Sequence, residues 1–354
     1  MMNGKKVLVA MSGGVDSSAA ALLLQRQGYT CDGAMLRLYT GEAEGTCCSA
    51  DDAADARSVA AGLGMKFYVF NEGLRFAADV MDHFVSEYCA GRTPNPCIDC
   101  NRCLKFGALL DRALLLGYDY LATGHYARVD FDRGTGKYHL LRGRDRSKDQ
   151  SYVLYQLTQH QLSHLLLPVG EYDKPTIRDS ARQAGLVNAD KSDSQDICFV
   201  PDGDYVHFLQ NYGGVELIPG NFVDSAGRVL GRHKGLPCYT IGQRKGLGVA
   251  AGKHVYVLRK NAADNTILLG DNADLFTSVL TADRVNWISG EVPGDPIRVC
   301  AKTRYSQTEA AATVIPLPEG RIRVEFEEPQ RAVTAGQAVV LYDGEQVVGG
   351  GTIE

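Results

Sequence analysis

The stretch that decides the fold is Val7-Leu8-Val9-Ala10-Met11-Ser12-Gly13-Gly14-Val15-Asp16-Ser17-Ser18, a short apolar run that breaks into glycines and hydroxyls and continues into an alanine- and leucine-rich segment. The apolar run reads as a strand and the segment from Ser17 as a helix. Two glycines between them let the backbone pass close to an anion. The N–H groups at the start of the helix and the hydroxyls of Ser12, Ser17 and Ser18 supply donors where the helix dipole favours negative charge. The pattern reads as a phosphate cradle. It is not the Walker loop, because no Gly-Lys-Ser/Thr follows and the lysine that reaches the terminal phosphates in that motif is missing. A plain glycine turn is the structural alternative, and the full run of glycines and hydroxyls after a strand favours the cradle.

Outward from this loop the first half alternates strand and helix. Strands are expected over 5–10, 31–38, 66–70 and 120–123. Helices are expected over 17–27, closed by Gly28, over 49–64 with Ser49 as N-cap, over 74–89 and, past a proline-rich hinge, over 102–117. This is the pattern of an α/β domain with a parallel sheet, whose ligands sit beyond the carboxyl ends of the strands. The cradle, Met35 and Thr123-Gly124-His125 all fall there. Helical patterns continue over 154–166 and 174–185. From about Asp204 the texture turns to glycine and short β-type runs such as Val255-Tyr256-Val257-Leu258 and Ala338-Val339-Val340-Leu341-Tyr342, which suggests an antiparallel barrel. The expected division is an α/β domain at 1–203, a small linker domain at 204–276 and a C-terminal β-barrel at 277–354.

The chain has 354 residues, 45% hydrophobic and 22% charged, enough for two or three packed domains. No apolar run approaches the roughly 20 residues of a membrane span, and the opening six residues lead into a strand too short for a signal peptide's core. A cytoplasmic location is expected. The ten cysteines fit a reducing compartment, where clustered cysteines more often mean catalysis or metal than disulfides. A net charge of −5 argues against wholesale, non-specific nucleic-acid binding. Local basic groups such as Arg142, Arg144, Arg146 and Lys148 leave room for directed contacts. Cys47-Cys48 leads into the Ser49-capped helix and reads as structural, as do Cys31, Cys89, Cys238 and Cys300. His83, His139, His160, His164, His207 and His254 are scattered without metal spacing.

A second stretch carries chemistry: Gly91-Arg92-Thr93-Pro94-Asn95-Pro96-Cys97-Ile98-Asp99-Cys100-Asn101-Arg102-Cys103. Two prolines stiffen the approach, and Cys100 is expected just ahead of a helix, where the dipole raises a thiol's thiolate fraction. Cys198 lies far away in sequence on a polar loop, Lys191-Ser192-Asp193-Ser194-Gln195-Asp196-Ile197-Cys198-Phe199.

Ser12-Gly13-Gly14-Val15-Asp16-Ser17 resembles the PP-loop of ATP pyrophosphatases, which adenylate a carbonyl oxygen and hold the departing pyrophosphate. The whole chain closely resembles the tRNA-uridine 2-sulfurtransferases, the bacterial-type 2-thiouridylases. The matching pieces are the PP-loop, Asn95-Pro96 with Cys100-Asn101, Thr123-Gly124-His125-Tyr126-Ala127, Lys148-Asp149-Gln150-Ser151-Tyr152, Ser194-Gln195-Asp196-Ile197-Cys198-Phe199, Tyr239 to Gly248, Thr303-Arg304-Tyr305 and Pro329-Gln330-Arg331-Ala332-Val333. The resemblance implies an adenine nucleotide alpha hydrolase-like first domain and a reaction that replaces the C2 oxygen of the wobble uridine with sulfur, using ATP and Mg2+. It implies that Ala10, Met11, Ser12, Gly13, Gly14, Val15, Asp16 and Ser17, with Met35 and Gly124, hold ATP. Cys198 would carry a persulfide received from a cysteine desulfurase or a sulfur-relay protein. Cys100 would free that sulfur and close a transient disulfide with Cys198. Asn95, Pro96 and Cys97 would line the target base, and His125, Lys148, Asp149, Gln150, Arg304, Tyr305 and Gln337 would contact the tRNA. The family's substrates are the lysine, glutamate and glutamine tRNAs.

The chain departs from the resemblance at Cys97, where many members carry aspartate. A thiol with a reference pKa near 8.5 is a poor substitute for a carboxylate that shuttles protons. The change creates Cys97-x-x-Cys100-x-x-Cys103, a spacing with the look of a thiolate metal site, so a [4Fe-4S] cluster on Cys97, Cys100 and Cys198 stands beside the two-cysteine persulfide route. Two other functions share parts of the pattern. An ATP-dependent amide-forming ligase needs the PP-loop and no reactive cysteines, and a non-catalytic RNA-binding protein needs neither.

Overall fold

The computed structural model describes residues 4–38, 50–192, 197–250 and 252–354. Cys47, Cys48, Ser49 and the Ser194-Gln195-Asp196 part of the Cys198 motif lie outside the described residues. In the first half, strand β1 (Lys6–Ala10), helix α1 (Val15–Arg26), β2 (Thr30–Arg37), α2 (Ala50–Gly62) and β3 (Phe67–Asn71) alternate as the periodicity requires. Two long helical runs lead to β4 (Tyr120–Ala122). A hairpin of β5 (Ala127–Asp132) and β6 (Lys137–Arg142) follows, then a short strand β7 (Leu165–Leu166) and helix α3 (Lys174–Gln183). Five strands form one parallel sheet in the order β3-β2-β1-β4-β7. Val7, Leu8 and Val9 are fully buried, as expected of a parallel strand covered on both faces. The strand order reverses between β1 and β4, and the crevice of such a sheet opens beyond the strand ends at that reversal.

Two local expectations are corrected. The helix expected from Arg102 begins at Pro96 and runs without a break through Pro96–Asp99, a π-wound Cys100–Leu109 and Leu110–Leu115. Asn95 caps it, its Oδ1 accepting from the Cys97 N–H at 3.1 Å, and Pro96 takes the first helical position, where a missing N–H is no loss. The prolines thus start a helix here and do not form a hinge. The expected helix over 154–166 divides into a 3-10 turn Ser151–Leu154, a short helix Gln159–Ser163 capped by Thr158, and β7. A short apolar run such as Leu165-Leu166-Leu167 fits a buried strand as well as a helix, and the neighbouring β4 decides it.

The middle segment forms a four-stranded sheet of β8 (Gly220–Val223), β9 (Val229–His233), β10 (Tyr256–Asn261) and β11 (Thr266–Gly270), packed on Phe222, Tyr239, Val257 and Ile267. The last segment comprises β12 (Phe276–Trp287), β13 (Ile297–Lys302), β14 (Ala310–Leu317), β15 (Arg321–Arg331), β16 (Ala338–Asp343) and β17 (Gln346–Ile353). β12 pairs with both β15 and β17, which closes the six strands into the expected antiparallel barrel. The β5–β6 hairpin extends this barrel sheet, with Leu140 opposite Val347 and Leu141 opposite Gln346. The sequence gives no sign of this joint. Among the described residues no helix is long and apolar enough to cross a membrane.

Candidate active site

The loop after β1 is shaped by its glycines and closed by its serines. Gly13 has φ +79°, and a Cβ there would lie 2.5 Å from the Asp52 carbonyl oxygen, so the loop runs directly against the first turn of α2. Gly14 precedes α1 with no side-chain capping bond, which leaves the first N–H groups of the helix without a capping side chain. Ser17 Oγ accepts from the Ser12 N–H at 3.2 Å and donates to the Gly14 carbonyl at 3.1 Å. Ser18 Oγ donates to the same carbonyl at 3.2 Å. The hydroxyls therefore hold the loop's curvature, and the helix N–H groups are the donors placed to meet an anion.

Across the crevice, Gly124 follows β4, and a Cβ there would lie 2.6 Å from the Ser17 nitrogen. The loops after β1 and β4 therefore touch at the point where the strand order reverses. Met11 and Met35 are buried beneath them. His125 Nδ1 lies 2.7 Å from Thr123 Oγ1, and its ring lies 5.7 Å from that of Phe106. Burial, with the Lys105 ammonium adding repulsion, pushes its pKa well below the usual imidazole range, so His125 is neutral at physiological pH.

Four residues that fix the cradle were not singled out by sequence. Lys174, at the start of α3, binds both oxygens of Asp16 at 2.7 and 2.8 Å, and Tyr126 donates to Asp16 Oδ1 at 2.8 Å. The buried Asn188 donates to the Gly13 carbonyl and to Ser18 Oγ, both at 2.9 Å. Lys191 bridges Asp52 at 2.7 Å and Asp55 at 2.6 Å; although burial opposes its charge, these two carboxylates hold its pKa above the ordinary lysine value. Tyr126 lies inside a matching motif. Lys174, Asn188 and Lys191 are single polar residues in unremarkable contexts, and no spacing marks them.

The cysteine motif sits on the helix that starts at Pro96. Cys97 is exposed in its first turn, and Cys100, one turn further in, is 8% exposed. The expectation that Cys100 stands just ahead of a helix is thereby corrected: the helix start belongs to Cys97. Cys100 joins the buried cluster of Phe76, Phe84 and Phe199, and the half-buried Cys198 packs against that cluster. Phe199 meets Phe76 and Phe84 edge-on, with centroids 5.7 and 5.3 Å apart, which ties the Cys198 loop to the cysteine helix's surroundings. Among the described residues no group of three or more His, Cys, Asp or Glu side chains is placed to hold a metal ion. The cluster expected on Cys97, Cys100 and Cys198 is not supported among the described residues: Cys97 faces solvent while Cys100 joins the core, and no third ligand completes a site with them.

The remaining candidates form a seam with the barrel. Asp149 is held by its own loop, accepting from the N–H groups of Gly143 at 2.9 Å and Ser151 at 3.1 Å and from Ser151 Oγ at 2.9 Å. Gln150 Oε1 accepts from the Tyr126 N–H at 3.0 Å, and Lys148 lies half-buried in the same loop. Tyr305 is 42% exposed and donates to the Asp149 carbonyl at 3.2 Å. Arg304 donates to the carbonyls of Ala332 and Ile241 and, at 2.6 Å, to Thr334 Oγ1. Gln337 donates to the Thr93 carbonyl at 2.7 Å. Arg142, expected in a basic surface patch, is instead buried, bridging Glu309 at 2.6 Å with its guanidinium 3.8 Å over the Tyr342 ring. A cavity of about 240 Å3 opens along this seam, lined among others by His83, Asn95, Asp99, Arg102, Arg284 and Asn286.

Comparison with known proteins covers the chain end to end. Family models match residues 5–202 (tRNA methyl transferase HUP domain), 206–271 (tRNA methyl transferase PRC-barrel domain) and 277–353 (aminomethyltransferase beta-barrel domain). The full-length relatives are named for thiolation. The chain is 49% identical to the tRNA-specific 2-thiouridylase MnmA of Acetivibrio thermocellus, over 100% of each chain. It is 52% identical to that of Moorella thermoacetica, over 98% of this chain and 99% of the other. It is 48% identical to that of Clostridioides difficile, over 100% and 99%. Identity near one half along the whole length, through all three domains, makes this chain a member of the tRNA-specific 2-thiouridylase family.

Proposed function

We propose that this protein is a tRNA-uridine 2-sulfurtransferase that uses ATP to replace the C2 oxygen of the wobble uridine of tRNA with sulfur. The observation that carries the reading is the joint presence, in a chain about half identical to thiouridylases over its full length, of a phosphate cradle at the strand reversal and a cysteine-bearing helix in the same domain. The N–H groups at the start of α1, with residues 10–17, Met35 and Gly124, hold ATP. Mg2+ needs few protein ligands when it rides on phosphates, and the carboxylate at the cradle, Asp16, is held by Lys174 and Tyr126, so the phosphates would supply most of its ligands. Its chemistry there would be to neutralise charge on the departing pyrophosphate.

The uridine O2 attacks the α-phosphorus, giving an adenylated base and pyrophosphate; a poor leaving oxygen becomes a good one. The terminal sulfur of a Cys198 persulfide attacks C2 and AMP departs. The Cys100 thiolate then attacks Cys198 Sγ, which releases 2-thiouridine and leaves a Cys100–Cys198 disulfide. A base in a single-stranded anticodon loop is extruded to reach such a site. Asn95, Pro96 and Cys97 line it, and His125, Lys148, Asp149, Gln150, Arg304, Tyr305 and Gln337 form the RNA-facing seam. Lysine, glutamate and glutamine tRNAs are the substrates, a cysteine desulfurase or relay protein supplies the persulfide, and the cytoplasm supplies both.

The test incubates iron-free protein with unmodified lysine tRNA, ATP, Mg2+ and a persulfide donor, then measures 2-thiouridine by mass spectrometry of the digested RNA. Formation by the wild type, and its loss in Cys100→Ser and Cys198→Ser, is the expected result. An ATP-dependent amide ligase would keep its ATP-to-pyrophosphate chemistry in both variants and produce no thiolated base. A passive RNA-binding protein would bind tRNA without releasing pyrophosphate.

A further inference from the structure

We propose that Cys97 is a third reactive thiol of this enzyme, the one that resolves the disulfide left after sulfur transfer. The inference rests on the persulfide reading above and adds the step that reading leaves open, the return of Cys100 and Cys198 to the reduced state. Three observations carry it. Cys100 is 8% exposed and belongs to the buried cluster that holds Phe76, Phe84 and Phe199, so the Cys100 side of a disulfide to the half-buried Cys198 is shielded from a reductant in solution. Cys97 stands one helical turn nearer the helix start and is exposed. The two are three residues apart on a continuous helix, which makes them neighbours, with Cβ atoms about 5–6 Å apart in regular geometry.

A disulfide needs a Cβ separation of roughly 3.5–4.5 Å, so the first turn must adjust slightly. The adjustment falls in the first turn, where the Cys97 N–H is bonded to the Asn95 side chain at 3.1 Å and not to a helix carbonyl. An exposed thiol at a helix start followed one turn later by a buried one is the layout that Cys-x-x-Cys oxidoreductases use for exchange. No comparable relay is offered by the other described cysteines of this region. Burial pushes the thiols of Cys103 and Cys89 up, which lowers the thiolate fraction of each.

The step balances without an added oxidant. The Cys97 thiolate attacks Cys100 Sγ, the Cys100–Cys198 bond breaks, and Cys198 leaves as a thiolate that takes up a proton equivalent to the one Cys97 gave up. The new Cys97–Cys100 disulfide has one sulfur at the surface. A dithiol reductant attacks it there, is itself oxidised to a disulfide, and returns both enzyme thiols. Cys198 is meanwhile free to receive the next persulfide sulfur.

The experiment uses the full-length protein, loaded with one equivalent of persulfide sulfur and mixed with tRNA, ATP and Mg2+ without reductant, then acid-quenched, alkylated and mapped by mass spectrometry. The expected product in the wild type is a Cys97–Cys100 disulfide with Cys198 alkylated. In Cys97→Ser the expected disulfide is Cys100–Cys198. With excess persulfide donor and dithiol, the ratio of turnovers to first-turnover yield in Cys97→Ser falls at least about tenfold. A wild-type protein that ends as Cys100–Cys198, or a Cys97→Ser variant with the wild-type ratio, overturns the inference while leaving the persulfide reading intact. Absence of 2-thiouridine in the wild type overturns that reading, and the inference with it.

Discussion

Replacing Lys174 with methionine removes the ammonium that grips both oxygens of Asp16 while keeping most of the side chain's length and volume. The size of the effect follows from where the pair sits. An exposed ion pair contributes about 0–1 kcal/mol, whereas removing one partner of a fully buried pair costs about 3–5 kcal/mol. Here the Lys174 side chain is 9% exposed and that of Asp16 is 31% exposed. After Lys174→Met, the carboxylate keeps the Tyr126 hydroxyl and recovers water over its open third, which brings the loss to about 2 kcal/mol. Asp16→Ala is the harsher change, because it leaves an ammonium nine-tenths buried without its carboxylate; about 3–4 kcal/mol is expected. The double variant should then lose less than the sum, by about 2 kcal/mol. Each kcal/mol shifts the melting point of a unit of this size by roughly 2–4 °C, so Lys174→Met should melt about 4–8 °C lower. Thermal and urea unfolding of the four proteins without nucleotide measures the cycle. Additive losses, or a Lys174→Met melting point within about 1 °C of the wild type, would refute the view that this pair anchors α1 at the cradle.

Gly124→Ala places a methyl where 2.6 Å separates it from the Ser17 nitrogen, so the loops after β1 and β4 must part; a stability loss of about 1–3 kcal/mol with ATP affinity down at least about tenfold is expected in unfolding and calorimetric titration. His83 Nδ1 lies 2.9 Å from Asp99, and that bond raises the imidazole's pKa above 6.5 against burial and the Arg284 guanidinium, with Glu87 adding to the rise. Its contribution, about 1 kcal/mol, is therefore full below pH 6.5 and is lost as pH climbs through the raised value, and His83→Gln should flatten that slope in a pH series of urea midpoints. Lys260 Nζ is buried without a hydrogen-bond partner beside the Tyr88 ring, and burial lowers its pKa to about 8 from 10.5. The folded protein should gain stability as pH rises between those two values, and Lys260→Met should raise stability at pH 7 by about 1–3 kcal/mol; a loss there would show that the ammonium is held by a favourable partner.

Sequence reasoning found the parts of this molecule whose physics is local. The glycine positions of the cradle, the alternation of the parallel sheet and the β texture after Asp204 each follow from a few adjacent residues, and all are seen. It failed at Pro94-Asn95-Pro96, where two prolines suggested a hinge while Asn95 and Pro96 were a cap and a first helical residue. That single misreading moved the expected helix start from Pro96 to Arg102 and placed Cys100, where the structure has Cys97, beside the first turn. The contacts between distant segments had no local signal at all. Lys174 meets Asp16 across 158 residues and Asn188 meets Gly13 across 175, so only the fold pairs them.

The barrel shapes the cysteine helix as well as offering a surface. The hairpin between β4 and β7 lies in the barrel sheet, and Arg128, buried on that hairpin, reaches Glu345 at 2.9 Å. Gln337 holds the Thr93 carbonyl, the Thr93 N–H bonds the Ala335 carbonyl at 2.9 Å, and a Cβ on Gly336 would lie 2.9 Å from the Thr93 nitrogen. The turn before β16 thus grips the chain two residues before Asn95 caps the helix. Arg304 in turn ties Ala332 and Thr334, the residues that lead into that turn. Gln337 and Arg304, assigned to tRNA contact by resemblance, therefore also fix the position of Cys97. A loss of activity in Gln337→Ala has two separable sources. If the lost contact is to RNA, tRNA affinity and its salt dependence change while alkylation of Cys97 in the protein alone does not. If the lost contact is the grip on Thr93, the rate of Cys97 alkylation changes without any RNA present, and that is the outcome this packing predicts.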